Sequence, residues 1–211
     1  MALLDIHTHN LPVPEGSGLY SLPLGSGIPP HQFCSAGIHP WNMPDDAGPA
    51  LEWVGRMLEN PNVLAVGEAG LDRLRGGDIE VQNRIFTAQV ELSERYGKPV
   101  VLHVVKCIDE IVALRRSLRP SMPWLIHGFR GGPELLELLT RHGFLVSFGH
   151  RFNPASLAAV RPERLFLETD GFTSFRDVLS DAAACLGRDA AALANELEAN
   201  VSSFLQMPLD R

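Results

Sequence analysis

The chain has 211 residues, enough for one globular domain with a full core. Its 45% hydrophobic and 20% charged residues are ordinary for a soluble protein, and no apolar run approaches the roughly 18 residues of a membrane-spanning helix. The formal charge of −7, from 18 basic and 25 acidic residues, argues against tight non-specific binding of long nucleic acid, which relies on Lys and Arg neutralising phosphates. A phosphate-bearing substrate held by bound cations stays open. No basic segment followed by an apolar one opens the sequence, so no secretory signal is expected. The three cysteines, Cys34, Cys107 and Cys185, are widely spaced and form no metal-type pair. They read as reduced thiols in a cytoplasmic protein.

Short apolar, β-branched runs alternate with longer helical patterns along the chain. The first candidate strand, Leu3–His7, runs into Asp5-Ile6-His7-Thr8-His9. Residues two apart on a strand share a face, so His7 and His9 can aim two imidazoles at one point. Asp5 is a candidate for supporting them. Residues 10–31 are Pro- and Gly-rich, with Leu19–Pro23 as a second strand and no helical period. Phe33–Ile38 follows, ending at His39 in Gly37-Ile38-His39-Pro40. A helix over Ala50–Leu58 leads to the strand Val63–Gly67, which ends at Glu68.

Asp78 is a candidate cap for the long helix Ile79–Tyr96, which Gly97 and Pro99 stop. Val100–His103 is the fifth strand, followed by a helix over Ile108–Leu118. Trp124–His127 is the sixth, then the helix Pro133–His142. Leu145–Phe148, a helix over Pro154–Val160, and Leu165–Thr169 complete the alternation, with Asp170 at the end of the last strand. Two further helices follow Phe175, broken near Gly187-Arg188.

Strand–helix alternation predicts a parallel α/β sheet, and eight strands favour a closed (β/α)8 TIM barrel in a single domain over residues 1–211. Such barrels usually need about 250 residues. This one must be compact, with a helix missing near the first two or three strands.

A parallel barrel gathers the C-terminal ends of its strands on one rim. His7, His9, Glu68, His103, His127 and Asp170 would therefore meet although they span most of the chain. Singly, each has an ordinary reading: a hydrogen-bonded histidine, Glu68 paired with Arg73, Asp170 as a helix cap. Jointly, they form a ligand set without thiolates, suited to Zn2+, Mn2+ or Fe2+. Glu68 is the candidate bridge between a site of His7, His9 and Asp170 and a site of His103 and His127. Two such ions can activate a water and stabilise the attacking and leaving oxygens of a displacement, with Asp170 also taking the proton. His39, Lys106 and Arg130 are candidate substrate contacts, Asp72 a candidate for orienting the loop after Glu68, and Trp41, Phe129 and Phe172 candidate pocket walls.

These motifs resemble the TatD family of metal-dependent hydrolases. The matched pieces are Asp5-Ile6-His7-Thr8-His9, Gly37-Ile38-His39-Pro40, Gly67-Glu68-Ala69-Gly70-Leu71-Asp72, Lys98-Pro99-Val100-Val101-Leu102-His103, Ile126-His127-Gly128-Phe129 and Leu167-Glu168-Thr169-Asp170. Gln82, Phe86 and Gln89 match the family's helix, and Asn200 with Phe204 its C-terminal signature. The resemblance implies an amidohydrolase-type barrel with one or two divalent ions, Zn2+, Mg2+ or Mn2+, on His7, His9, Glu68, His103, His127 and Asp170. It implies hydrolysis of phosphoesters, with exonuclease action on DNA ends the leading expectation. A small phosphoester or C–N substrate at the same site is the alternative, and a non-catalytic metal-binding protein the second. No membrane or obligate protein partner is expected. The segment between His9 and Gly37 is shorter than the family's, Val104-Val105-Lys106 replaces its usual Ser-Arg, and Asn10-Leu11 and Gly171-Phe172 also depart from its pattern.

Overall fold

The computed structural model describes residues 3–11, 13, 17–171 and 174–207. All eight expected strands form, as β1 (Asp5–Thr8), β2 (Gly18–Leu22), β3 (Phe33–Ala36), β4 (Val63–Asp72), β5 (Val100–Val105), β6 (Trp124–Ile126), β7 (Phe144–Phe148) and β8 (Leu165–Leu167). Every neighbouring pair is parallel, and β1 pairs with β8, closing the barrel in chain order. The helices are α1 (Gly48–Leu58), α2 (Ile79–Tyr96), α3 (Ile108–Leu118), α4 (Pro133–Arg141), α5 (Pro154–Ala159), α6 (Phe175–Leu186) and α7 (Ala190–Phe204). None of the described helices is long and apolar enough to cross a membrane.

Local chemistry sets the helix ends. Asp78 accepts from the Glu80 amide at the start of α2, and Gly97 closes it in the left-handed region. Asn153 caps α5 with Pro154 as its first residue. Among the described residues, no helix lies between β1 and β2 or between β2 and β3. The first two crossovers are thus without a helix among the described residues.

Two cores hold the barrel. The larger lies between the sheet and its helices, around side chains such as Trp124, Phe86, Phe144 and Leu102. The smaller is the barrel interior, where Ile6, Leu19, Ala65, Val101, Leu125 and Phe166 pack together with Val201, Phe204 and Leu205 from the end of α7. That interior explains how the rim is loaded. On β5 and β6, plain alternation places His103 two residues after Val101 and His127 two after Leu125. On β4 an extra residue enters between Val66 and Ala69, so the step from Ala65 to the next inward group is three, and that group is Glu68. Glu68 therefore lies within β4 instead of at its end, a correction to the sequence expectation; β4 runs on to Asp72.

Candidate metal centre

Glu68 is the hub of the rim. It is 5% exposed, and its two carboxylate oxygens face different groups of imidazoles. Oε2 lies 3.3 Å from His7 Nε2 and 3.0 Å from His9 Nε2. Oε1 lies 2.7 Å from His103 Nδ1, 2.9 Å from His127 Nε2 and 3.0 Å from His39 Nε2. Asp170 Oδ1 stands 3.7 Å from Nε2 of both His7 and His9. Asp170 has a φ of 51° and its amide donates to His7 O. It caps no helix, since Ser174 does that for α6.

The rim glycines of β4 serve this arrangement. Gly70 has a φ of 144°, and a Cβ there would lie 2.1 Å from the His103 carbonyl oxygen. Only glycine allows β4 to press against β5 at that point. Two buried glutamines on α2 clamp the loops from behind. Gln89 accepts from the Ile38 amide and donates to its carbonyl, fixing the approach to His39. Gln82 accepts from the Asp72 amide and donates to Asp72 O, Arg75 O and Gly77 O.

Outer carboxylates orient the imidazoles. Asp72 Oδ2 meets His103 Nε2 at 3.1 Å, leaving Nδ1 to face Glu68. The same oxygen accepts from Trp41 Nε1 at 2.6 Å, while Oδ1 accepts from the amides of Leu74 and Arg75. Glu168, fully buried, lies 3.5 Å from His127 Nδ1 and accepts from Ser147 Oγ. Asp5 accepts from the His7 amide and from the amide and hydroxyl of Thr169, tying β1 to the end of β8. Asp72 orients its loop as expected. The contacts of Asp72 and Glu168 with histidines were not anticipated. Glu168 was findable, because it lies two residues after Phe166, and alternation carries that inward face to the rim.

Electrostatics follow from burial and crowding. Burial alone would raise the Glu68 carboxyl, but His127, His7 and the hydrogen bonds from His103 and His127 hold it well below the usual range. Burial would depress His127, yet the Glu68 and Glu168 carboxylates push it well above 6.5. Burial lowers His7, with the neighbouring His127 charge adding to that effect. The hydrogen bond to Glu68 raises His9. Asp5 is pushed up to about 7 by burial, against the Thr169 hydrogen bonds.

The donor set fits a divalent cation on two counts. His7 is fully buried, and neither of its ring nitrogens completes a hydrogen bond. Such an orphaned polar group is costly without a partner. The rings are also crowded, with His7–His127 and His39–His103 centroids both 4.4 Å apart. Protonating them all would pack like charges, whereas a cation takes neutral imidazoles as ligands. Three groups bring their ligand atoms within 4.8 Å: His7, His9 and Glu68; His7, His127 and Asp170; His39, Glu68 and His103.

A cavity of about 510 Å3 opens onto this centre. His9, His39, Glu68, His103, His127 and Asp170 form its polar part, and Tyr20, Leu22, Pro23, Leu24 and Trp41 its apolar wall. Of the candidate substrate contacts, His39 lines it; Lys106 and Arg130 are exposed loop residues outside its lining. Phe129 is buried against Phe148 and does not line it, and Phe172 lies outside the described residues.

A closed parallel barrel with imidazoles and carboxylates gathered at its strand C-termini has the architecture of a metal-dependent barrel hydrolase. The chain belongs to the TatD related DNase family, whose sequence model matches residues 17–203. It is 31% identical over 157 residues to the 3'-5' ssDNA/RNA exonuclease TatD of Erwinia billingiae (strain Eb661), covering 70% of this chain and 60% of that protein. It is 32% identical over 165 residues to the exonuclease of the same name from Edwardsiella piscicida, covering 71% and 62%. The chain thus spans about three fifths of the length of these relatives. The crystal structure of YjjV, a TatD homolog from Escherichia coli K12, superposes with a TM-score of 0.79 over 98% of both chains at 20% identity. YjjV is described as an uncharacterized metal-dependent hydrolase.

Proposed function

We propose that this protein is a metal-dependent hydrolase of phosphoester bonds, acting on the ends of DNA or RNA strands. The observation that carries the reading is the division of Glu68, with Oε2 turned to His7 and His9 and Oε1 turned to His39, His103 and His127. A carboxylate so divided supports a reading in which Glu68 serves two cations. In this reading His7, His9, Glu68 and Asp170 hold one and Glu68, His103 and His127 the other. One or two divalent ions there, Zn2+, Mg2+ or Mn2+, would make a water nucleophilic at neutral pH and stabilise the oxygens of the displacement. Asp170 faces the cavity beside His7 and His9 and takes the proton from the attacking water. His39 touches the phosphoester oxygens from the cavity side, and Lys106 and Arg130, on the loops after β5 and β6, meet the next phosphate of a strand.

The relatives named as 3'-5' ssDNA/RNA exonucleases support a nucleic-acid substrate. One observation favours a small phosphoester or C–N substrate instead: among the described residues, the cavity lining holds no lysine or arginine. The cysteines are all free, in keeping with action in the cytoplasm.

The test is turnover by metal-stripped protein reconstituted in turn with Mg2+, Mn2+ and Zn2+, on a short end-labelled DNA and an aryl phosphodiester. Metal-dependent shortening of the DNA is expected. Cleavage of the aryl ester alone would move the substrate to a small phosphoester. No cleavage of either by metal-loaded protein would sink the phosphoesterase reading. Asp170→Asn should abolish turnover with the fold intact.

A further inference from the structure

We propose that Trp41 is a preset stacking platform for the nucleobase next to the scissile phosphoester, an inference that rests on the hydrolase reading above. Trp41 is 47% exposed and lines the cavity. Its exposure is not looseness. The indole Nε1–H donates to Asp72 Oδ2 at 2.6 Å, and the Trp41 amide donates to His39 Nδ1 at 3.0 Å. Arg75 lies 4.4 Å from the ring centroid as a cation–π partner. Arg75 does not line the cavity, whereas Trp41 does, with the His39 and His103 rings set steeply against the indole at centroid distances of 4.8 and 5.4 Å.

An exposed aromatic fixed in this way loses little entropy when a planar ligand stacks on it. Fixing also gives it a register with the chemistry. The Asp72 oxygen that takes the indole N–H also meets His103 Nε2, and His39, which takes the Trp41 amide, lies 3.0 Å from Glu68 Oε1. The platform and the centre thus share two rigid links.

The cavity is amphiphilic, with its metal-type centre beside an apolar wall that includes Tyr20, Leu22 and Leu24. β2 and the turn after it supply that wall, on connections that carry no helix among the described residues. A ligand that suits both parts has an anionic phosphoester and a flat, weakly polar body. A nucleotide has both, and stacking tolerates any base because every base presents a π-face. With no lysine or arginine among the described lining residues, stacking supplies recognition inside the cavity, while Lys106 and Arg130 lie outside its lining.

The test compares two product-like ligands on metal-reconstituted protein by calorimetry: deoxyadenosine 5'-monophosphate and 2-deoxyribose 5-phosphate, which lacks the base. The protein itself should bind the nucleotide about 5- to 100-fold more tightly, the range expected for one base stacked on an aromatic ring. Its tryptophan fluorescence should be quenched by the nucleotide alone, since Trp53 and Trp124 are buried. Trp41→Phe keeps a ring and should keep most of the preference; Trp41→Leu should reduce the ratio to near one. An undiminished ratio in folded Trp41→Leu would overturn the proposal. So would the absence of any preference, or of nucleotide binding, in protein that cleaves the aryl phosphodiester, and in that case the hydrolase reading stands. Protein that cleaves no phosphoester removes the hydrolase reading, and the platform with it.

Discussion

Glu168→Gln keeps the shape of a fully buried side chain and removes its charge. Glu168 Oε1 lies 3.5 Å from His127 Nδ1, an ion pair too long for a hydrogen bond, and Oε2 accepts from Ser147 Oγ. The other His127 nitrogen, Nε2, faces Glu68 Oε1 at 2.9 Å. Glu168 thus sets a negative charge behind the ring, which makes the nitrogen facing the centre more basic. Partners of this kind contribute about 10- to 100-fold to metal affinity. At about 1.4 kcal/mol per tenfold, the loss is about 1.4–2.8 kcal/mol. The assay is Zn2+ competition against a fluorescent chelator, with circular dichroism as the check on folding. Ser147→Ala is the control, because it removes a hydrogen bond to Glu168 and leaves the charge. It should cost stability of about 1.5–3 kcal/mol, the range for hydrogen bonds to charged groups, and weaken Zn2+ less than Glu168→Gln does. A folded Glu168→Gln protein that binds Zn2+ within about twofold of the parent would refute the idea that Glu168 acts through His127.

Gly70→Ala should cost about 1–3 kcal/mol in backbone strain alone, because φ is 144°, and more from the clash with the His103 carbonyl. Thermal unfolding should show the loss, and metal stoichiometry should fall as Glu68 and His103 move apart. In the native protein at about pH 8, one thiol, the exposed Cys185, should react quickly with an aromatic disulfide reagent. Cys34 is buried and pushed up to about 11, so its thiolate fraction is only about one part in a thousand, and it should react on unfolding. The metal-free protein should lose stability as pH rises. The folded-state pKa of His127 is raised above 6.5 by Glu68 and Glu168, so its contribution is complete below that pH and is lost as pH climbs through the raised value. Metal uptake runs the other way, since it displaces the His127 proton. The gap in melting temperature between Zn2+-loaded and stripped protein should therefore widen from about pH 6 to about pH 9; a constant gap would contradict the reading.

The barrel was legible because each strand carries its own signal. Continuous apolar runs such as Val100-Val101-Leu102 and Leu165-Phe166-Leu167 read as strands covered on both sides, and all eight strands form. The clustering of His7, His9, Glu68, His103, His127 and Asp170 was legible for a related reason. A parallel barrel converts the order of strand ends along the chain into a ring in space, so residues more than a hundred apart become neighbours. His39 was harder. It lies three residues beyond β3, and its neighbour Ile38 is held by Gln89, from a helix that begins forty residues later, so no local period points to its place beside Glu68. Asp72 looked like a loop-former because its short side chain does accept two local amides; nothing in the sequence tells which long-range donors its other oxygen finds.

Glu68 shows why a strand-end rule reaches the right residue by an incomplete route. Plain alternation from Ala65 would turn Gly67 inward and Glu68 outward. The extra residue between Val66 and Ala69 reverses that phase, and glycines at 67 and 70 permit the strand to carry it, each with φ near 144° where a Cβ would strike the β5 backbone. The Gly-Glu-x-Gly spacing is therefore a record of geometry as much as of chemistry. The glutamate supplies two oxygens, and the glycines let the strand bend so that each oxygen faces a different set of imidazoles. A glutamate grafted onto a regular strand at this height would keep its charge and lose its place between the two groups.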